Sequence, residues 1–260
     1  MEKRTQQVRS DALSHRGLVR TNNEDRVQVA VLKPADGKTA FVAVLADGVG
    51  GHHAGEVASR IAVDTIITEI TRTHPAPDVH FQLQKAFQAA NQAILDNIST
   101  HPQRAGMGTT GVCALIIGHT IYTAHLGDSR LYLHRGNSLQ RLTRDHTMLE
   151  ELITLAGTEE LDNARSQPIA HVLTRYLGAP HIADVDHHMY VNQEKIDKLK
   201  LHAEDILLLC SDGITDMLSD EEIANILSTC SGKKRAQLLV YRALENGGHD
   251  NASVIVLQIP

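Results

Sequence analysis

Three mostly apolar runs occur along the chain, at residues 41–46 (FVAVLA), 206–210 (ILLLC) and 252–259 (ASVIVLQI). Short apolar runs bounded by turn-forming residues are typical of strands that are buried on both faces. An acidic residue lies within two positions of each run, namely Asp47, Asp212 and Asp250 in that order. We therefore predict three interior strands, each with a carboxylate at one end.

The remaining periodicity favours antiparallel sheets covered by pairs of helices. Residues 26–33 (RVQVAVLK), a turn at 34–38 and the run at 41–46 predict a β-hairpin. Helix-like patterns occupy 55–71, 80–98, 220–229 and 233–246, and further strand-like runs occupy 111–117, 120–126, 130–135 and 185–191. A doubly wound parallel sheet is the weaker alternative, because consecutive strands are too close for helical crossovers. The predicted class is an α+β layered sandwich.

Residues 146–180 depart from this regular pattern. They begin with a helical segment (MLEELITLAG) and then become polar and irregular (TEELDNARSQPIAH). Nothing else divides the 260 residues cleanly. We predict one domain, residues 1–260, that carries this stretch as an inserted subdomain.

The acids beside the apolar runs indicate a site for a divalent cation. Asp47 is followed by Gly48, and a glycine allows the backbone to approach a ligand closely. Carboxylate and carbonyl oxygens are the ligands that hard cations prefer. Taken alone, Asp47 fits equally well as the cap of an ordinary strand-to-helix turn. Because Asp212 and Asp250 occupy similar strand ends far away in sequence, we interpret the three as one convergent metal site.

A polar segment before the first strand carries a second kind of candidate chemistry. Arg20 precedes the pair Glu24-Asp25 by four residues. The segment fits a polar loop. It also fits a planar guanidinium that binds phosphate beside carboxylates holding metal or metal-bound water.

Two further aspartates lie where the pattern allows either a structural or a functional role. Asp128 sits between two strand-like runs and fits an ordinary hairpin turn. Asp216 follows Asp212 by four residues, so both would point to one side of a helix that begins there.

Composition narrows the class of protein. Lysine and arginine total 25 against 31 acidic residues, a net charge of −6, which argues against general nucleic-acid binding. Cys113, Cys210 and Cys230 are widely spaced and odd in number, which favours reduced thiols. The first residues lack the apolar core of a secretory signal, and no run approaches the roughly 20 apolar residues that cross a bilayer. We expect a cytoplasmic protein without membrane insertion.

Taken in order, the polar motifs resemble those of the type 2C protein phosphatases, the metal-dependent serine/threonine phosphatase family. The resemblance extends from about residue 13 to 258 and is closest to the compact bacterial members that consist of the catalytic domain alone. The motifs are Arg20 with Asn23-Glu24-Asp25, Asp47-Gly48-Val49-Gly50-Gly51-His52, Gly55-Glu56, Gly108-Thr109-Thr110, Gly127-Asp128-Ser129-Arg130, Leu173-Thr174-Arg175 with Leu177-Gly178, Ser211-Asp212-Gly213 with Asp216, and Asp250-Asn251.

The resemblance implies a four-layer α-β-β-α sandwich with two Mn²⁺ or Mg²⁺ ions at one end of two central antiparallel sheets. In the family's pattern Asp47 would bridge the ions, the Gly48 carbonyl would bind one of them, and Asp212 and Asp250 would complete the other ion's shell. In the same pattern Glu24 and Asp25 would act near the second ion through bound water, and Asp128 and Asp216 would form a weaker third-metal site with Asp212. Arg20 would bind the substrate phosphate. Residues 146–178 would form a flap beside the active site.

The implied activity is hydrolysis of phosphoserine and phosphothreonine in proteins by a metal-activated water. The implied partners are a bacterial Ser/Thr kinase and its substrates, and the implied state is a monomer.

Some eukaryotic relatives carry a histidine directly after Asp-Gly, proposed as the acid that protonates the leaving group, whereas this chain has Val49 at that position. The alternative is a catalytically weak pseudophosphatase that serves as a phosphoprotein-binding or scaffold module. The presence of all three metal aspartates favours catalysis. The sequence lacks the Gly-x-Ser-x-Gly elbow, the Cys-x5-Arg loop and the P-loop lysine of other nucleophilic or nucleotide-binding sites.

Overall fold

Two antiparallel sheets lie face to face in a computed structural model that describes residues 8–33, 39–50, 54–156, 168–181 and 184–260. One sheet has strand order β11-β6-β5-β3-β2, with β4 also paired to β3, and the other has order β1-β13-β12-β7-β8. A separate ribbon pairs β9 with β10. The strands are β1 (Arg9–His15), β2 (Asp25–Leu32), β3 (Ala40–Val49), β4 (Gly108–Thr109), β5 (Gly111–Ile117), β6 (Thr120–Leu126), β7 (Arg130–Arg135), β8 (Ser138–Arg141), β9 (Met189–Val191), β10 (Glu194–Ile196), β11 (Leu199–Lys200), β12 (Ile206–Cys210) and β13 (Ala252–Gln258).

Helices cover the outer faces of both sheets. The covering helices are α1 (Gly55–Thr73) and α2 (Val79–Thr100) on the first sheet, and α4 (Asp212–Thr215), α5 (Asp220–Thr229) and α6 (Lys234–Glu245) on the second, whereas α3 (Met148–Ala156) lies in the inserted stretch. The side chain of Asp78 caps α2 by accepting from the Phe81 N–H, and Ser219 with Glu222 forms a capping box at the start of α5. No helix in the described ranges is long and apolar enough to cross a membrane.

Alternation along β3 shows how the layers are built, because successive strand residues point to opposite faces. Val42 and Val44 pack with α1 and α2 in one core, and Ala43 and Leu45 pack toward the second sheet in another. A third core, which includes the fully buried Leu208, lies between the second sheet and helices α5 and α6. Three apolar cores between four layers confirm the predicted α-β-β-α sandwich.

Most predicted elements form within two residues of their expected bounds, and the exceptions have physical reasons. Residues 185–191 were expected to be one strand, but only Met189–Val191 is a strand, so that prediction is wrong over its first half. The preceding segment instead turns around Asp186, whose side chain accepts from the His188 backbone N–H at 3.0 Å. The predicted turn at 34–38 lies outside the described residues.

The inserted stretch joins the sandwich near one end of the first sheet. The Thr109 N–H donates to the Leu177 carbonyl at 2.9 Å, and the Leu177 N–H donates back at 2.8 Å. The Met148 N–H donates to the Val172 carbonyl at 3.0 Å, which ties the start of α3 to the returning chain. A short 3-10 turn spans Pro168–His171 within this part. The stretch between 157 and 167 lies outside the described residues.

The three cysteines are free thiols, as predicted. Cys113 and Cys210 are buried within β5 and β12, and Cys230 is half-buried after α5. Burial raises the pKa of Cys210 to about 12, so that this sulfur stays protonated and unreactive.

Candidate metal centre

The strand pairings bring distant carboxylates together at one end of the sandwich. Asp25 at the start of β2 lies directly opposite Asp47 in the antiparallel β2–β3 pair. Asp212 follows β12 and Asp250 precedes β13, and these two strands are neighbours in the other sheet. Asp47 and Asp212 approach each other across the gap between the sheets closely enough for each carboxyl group to alter the pKa of the other. The facing sheets therefore each contribute a pair of acids to one site.

These carboxyl groups destabilise one another as anions. Burial raises the pKa of Asp25 to about 7, with Asp212 and Asp250 adding like-charge repulsion. Burial, Asp216 and Asp250 raise the pKa of Asp212 to about 6. The pKa of Asp47 lies well above its usual range because of burial and the nearby charges of Asp25 and Asp212. A group of acids that repel one another in this way gains stability from a bound cation.

The two peripheral aspartates belong to the same electrostatic group. Burial and the charge of Asp212 raise the pKa of Asp128 well above its usual range. Asp216 is exposed and ends α4, where its N–H donates to the Asp212 carbonyl at 2.7 Å. Partial desolvation is the main cause of its raised pKa, and the charge of Asp250 raises that pKa further. The structure thus places both near Asp212, with Asp216 exposed to solvent and Asp128 half-buried.

Close backbone packing explains the glycine after Asp47. The Gly48 N–H donates to the Glu24 carbonyl at 3.1 Å. A Cβ atom on Gly48 would lie 2.3 Å from the Gly55 carbonyl oxygen, and one on Gly55 would lie 2.7 Å from Glu24 Oε2. Only glycine allows the end of β3, the start of α1 and Glu24 to meet this closely.

Arg20 provides positive charge at the edge of the acidic group. Its Nη2 donates to Asp250 Oδ2 at 2.6 Å, and its side chain is 54% exposed. The charge of Asp250, and more weakly those of Glu24 and Asp47, raises the guanidinium pKa further. Arg20 is therefore permanently charged and accessible to a ligand that enters from solvent.

Two short polar side chains that sequence reasoning missed hold the acids in place. Ser211 Oγ donates to Asp25 Oδ2 at 2.9 Å. Asn251 Oδ1 accepts from the Glu24 N–H at 2.7 Å, and its Nδ2 donates to the carbonyls of Arg16 and Asn22 at 2.8 and 2.9 Å. Both residues lie within the motifs noted in the sequence, but their spacing gave no sign of these contacts.

Thr110 is a third missed residue, and it joins two of the acid-bearing segments. The Asp47 N–H donates to Thr110 Oγ1 at 2.9 Å, and the Thr110 N–H donates to the Asp47 carbonyl at 2.8 Å. Thr110 Oγ1 also shares a hydrogen bond of 2.7 Å with Ser129 Oγ, next to Asp128. The Asp47 and Asp128 segments are therefore fixed relative to each other.

The donor set fits a hard divalent cation. Asp25 Oδ1 and Asp212 Oδ1 are buried and have no hydrogen-bond partner among the described residues. Buried carboxylate oxygens without donors are costly unless a cation satisfies them. Oxygen ligands of this kind suit Mg²⁺ or Mn²⁺ better than softer metals. Val49 offers no proton donor beside this group. His52, the last residue of the motif that begins at Asp47, lies outside the described residues.

Comparison with known proteins identifies the class. The family described as Protein phosphatase 2C matches residues 4–252. The serine/threonine protein phosphatase PstP of Mycobacterium tuberculosis is 34% identical over 252 residues, which are 97% of this chain and 45% of PstP. The chain belongs to the protein phosphatase 2C family.

Two further similarities concern relatives and structures of matching length. The serine/threonine phosphatase stp of Listeria welshimeri is 33% identical over 247 residues, 94% of this chain and 92% of the relative. The crystal structure of the PstP catalytic domain in complex with two manganese ions is similar with a TM-score of 0.79 and 33% identity, covering 97% of this chain and 99% of that one. The chain spans about half the length of the full PstP protein and nearly all of its solved catalytic domain.

Proposed function

We propose that this chain is a single catalytic domain that removes phosphate from phosphoserine and phosphothreonine in proteins, with two Mn²⁺ or Mg²⁺ ions as cofactors. The observation that carries the proposal is the convergence of Asp25, Asp47, Asp212 and Asp250 from two facing sheets. Within this group the pKa values of Asp25, Asp47 and Asp212 are raised, and Asp25 and Asp212 each carry a buried oxygen without a hydrogen-bond partner among the described residues. The similarity to a phosphatase domain solved with two manganese ions supports the same assignment.

We assign the acids their roles in binding ions from the places that they occupy in the family's motifs. Asp47, with the Gly48 carbonyl, would hold the ions from the first sheet, and Asp212 and Asp250 would hold them from the second. Glu24 and Asp25 would act near one ion through water. Asp128 and Asp216 would form, with Asp212, a weaker third site. When bound, the ions offset the charge of a phosphate monoester and supply an activated water at neutral pH.

Arg20 is the residue that would bind and orient the substrate. A guanidinium offers planar paired donors that match phosphate oxygens, and its charge would stabilise the equatorial oxygens during in-line attack. Its position beside Asp250 places this donor next to the acids. Val49 cannot protonate the leaving serine or threonine oxygen, so that proton comes from solvent or from another side chain.

The physiological setting is proposed from the relatives. Protein phosphatases of bacteria among them are named for serine/threonine substrates. We propose that the chain opposes a bacterial Ser/Thr kinase, acts in the cytoplasm as a monomer, and uses residues 146–180 as a flap that influences the choice of substrate.

The central test removes single carboxylates. In Asp47→Asn and Asp250→Asn, turnover of p-nitrophenyl phosphate at saturating Mn²⁺ should fall by at least about 100-fold, the scale of losing one preorganised charged group from an active site. Asp64→Asn, an exposed acid on α1, is the matched control and should retain full activity. EDTA should abolish wild-type turnover.

A phosphopeptide assay separates the proposed enzyme from a pseudophosphatase. Release of inorganic phosphate from phosphothreonine and phosphoserine peptides by the wild type supports the proposal. Wild-type protein that binds these peptides with Mn²⁺ present, yet releases no phosphate from them, would contradict it and favour the binding module.

A further inference from the structure

Two buried histidines lie directly behind the acidic site. His125 in β6 and His146, between β8 and α3, have nearly parallel rings whose centroids are 4.6 Å apart. Together with Asp186 they form, among the described residues, a group whose potential ligand atoms all lie within 4.8 Å of one another. Two imidazoles and a carboxylate would suit a transition metal. Whether His146 can coordinate one depends on which of its ring nitrogens carries the proton, and the hydrogen bonds of the ring determine that.

The hydrogen bonds exclude His146 as a metal ligand in this arrangement. The Gly127 N–H donates to His146 Nδ1 at 3.1 Å, so Nδ1 carries a lone pair. A neutral imidazole that accepts at Nδ1 holds its proton on Nε2, and a protonated nitrogen cannot coordinate a cation. Burial lowers the pKa of His146, which keeps the ring neutral near pH 7. Its Nε2 lies 3.9 Å from Asp186 Oδ2, too far for a good hydrogen bond.

His146 holds the Gly127 peptide in place by hydrogen bonds from both its side chain and its backbone. The His146 N–H donates to the Gly127 carbonyl at 3.0 Å, so the two residues are joined by hydrogen bonds in both directions. Gly127 has φ of +97°, and a Cβ atom there would lie 2.6 Å from Thr110 Cγ2. The turn is therefore clamped between Thr110 on one side and His146 on the other.

The clamped turn carries Asp128 as its next residue. Thr110 on the far side exchanges hydrogen bonds with Asp47, so His146 supports Asp128 against the strand that holds the central acid. The His146 carbonyl also accepts from the Thr174 N–H at 2.9 Å, which ties the same residue to the base of the inserted stretch.

We propose that His146 is a positioning residue that fixes the Asp128 carboxylate for cation binding by holding the Gly127 peptide. This inference rests on the proposed function, because it takes Asp128 as a ligand of the peripheral ion. His146 touches neither substrate nor ion. Its contribution is to the affinity for the peripheral cation, and residues that orient metal ligands typically account for about 10–100-fold in affinity.

The test compares two substitutions of similar polarity. In His146→Asn the introduced amide oxygen stands at the same bond distance from the backbone as the imidazole Nδ1 and can accept from Gly127. In His146→Gln the acceptor is displaced by one atom. Mn²⁺ binding to the metal-free proteins is measured by isothermal titration calorimetry. We expect His146→Gln to weaken the lowest-affinity Mn²⁺ site by about 10–100-fold and His146→Asn to stay within a few-fold of wild type.

Controls separate positioning from general loss of structure. His134→Gln removes another buried histidine, which shares a 2.9 Å hydrogen bond with Ser228 in the second sheet and should leave Mn²⁺ binding unchanged. Asp128→Asn should reproduce the binding defect of His146→Gln. Equal Mn²⁺ isotherms for His146→Gln and wild type, or equal defects in the two His146 variants, would overturn the inference. Failure of the wild type to bind Mn²⁺ at all would instead contradict the proposed function.

Discussion

Asp25 and Asp212 show how single side chains set the response of this site to pH. Their pKa values in the folded protein, about 7 and about 6, lie above the ordinary value of an aspartate near 3.8. The folded state therefore binds protons more tightly than the unfolded state. Without metal, these groups make the protein less stable as pH rises from about 4 through these values, and the full penalty is present above them.

Asp212→Asn should remove part of this penalty. We expect the metal-free variant to be more stable than metal-free wild type at pH 7.5 and to lose roughly half of that advantage at pH 5, because the penalty builds up between about pH 4 and pH 6. Each kcal/mol of relieved repulsion corresponds to about 2–4 °C in Tm for a chain of this size. The measurement is thermal unfolding in EDTA at both pH values. An unchanged difference between wild type and variant across this range would show that Asp212 is already ionised in the folded protein at pH 5.

At the scale of elements, the start of α5 offers a clean test of local stability away from the site. Ser219 Oγ accepts from the Glu222 N–H at 3.3 Å, and Glu222 Oε2 accepts from the Ser219 N–H at 2.9 Å. Ser219→Ala removes one half of this capping box. It should cost about 0.5–2 kcal/mol in unfolding free energy while kcat stays unchanged. Ser219→Asp restores an acceptor and is the control, since a similar loss in both variants would mean that the cap contributes nothing.

Elements also show where sequence reasoning succeeds. The apolar runs at 41–46 and 206–210 form β3 and β12, because strands buried on both faces need apolar residues at every position. The first strand, Arg9–His15, went unpredicted because it lies at the edge of its sheet, where polar residues such as Arg9 and Ser10 face solvent. Its partner strand is β13, at the other end of the chain, so no local sequence pattern predicts the pairing.

The residues of the candidate site likewise fall into those that a local sequence pattern predicts and those that it does not. Its acids were predicted because carboxylates beside buried strands are unusual and carry recognisable chemistry, although their roles as ligands stay a prediction. Ser211, Thr110 and Asn251 were missed because short polar residues are common and their partners are distant, as in the contact of Asn251 with Glu24, 227 residues apart. Such contacts follow from the packing of the sheets, which a single sequence does not display.

For the whole molecule, the site depends on two sheets staying face to face. Asp25 and Asp47 come from one sheet, and Asp212 and Asp250 flank strands of the other, so an ion held by both would join the layers. Mn²⁺ at about 100 times its Kd should therefore add about 2.7 kcal/mol to the free energy of unfolding. Differential scanning calorimetry with and without Mn²⁺ measures this gain. Asp47→Asn should abolish most of it, and a gain of the same size in that variant would place the ion elsewhere.

The ion pair between Arg20 and Asp250 has a consequence for the sequence of events at the site. Asp250 Oδ1 already accepts from the Asn251 N–H at 2.7 Å, and Oδ2 accepts from Arg20 at 2.6 Å. A cation at Oδ2 would compete with the guanidinium for this oxygen, and its binding would leave more of the guanidinium donors for an anion that enters afterwards. Arg20 and the cation would thus share one carboxylate, which would couple the affinity for metal to the affinity for a phosphate ester.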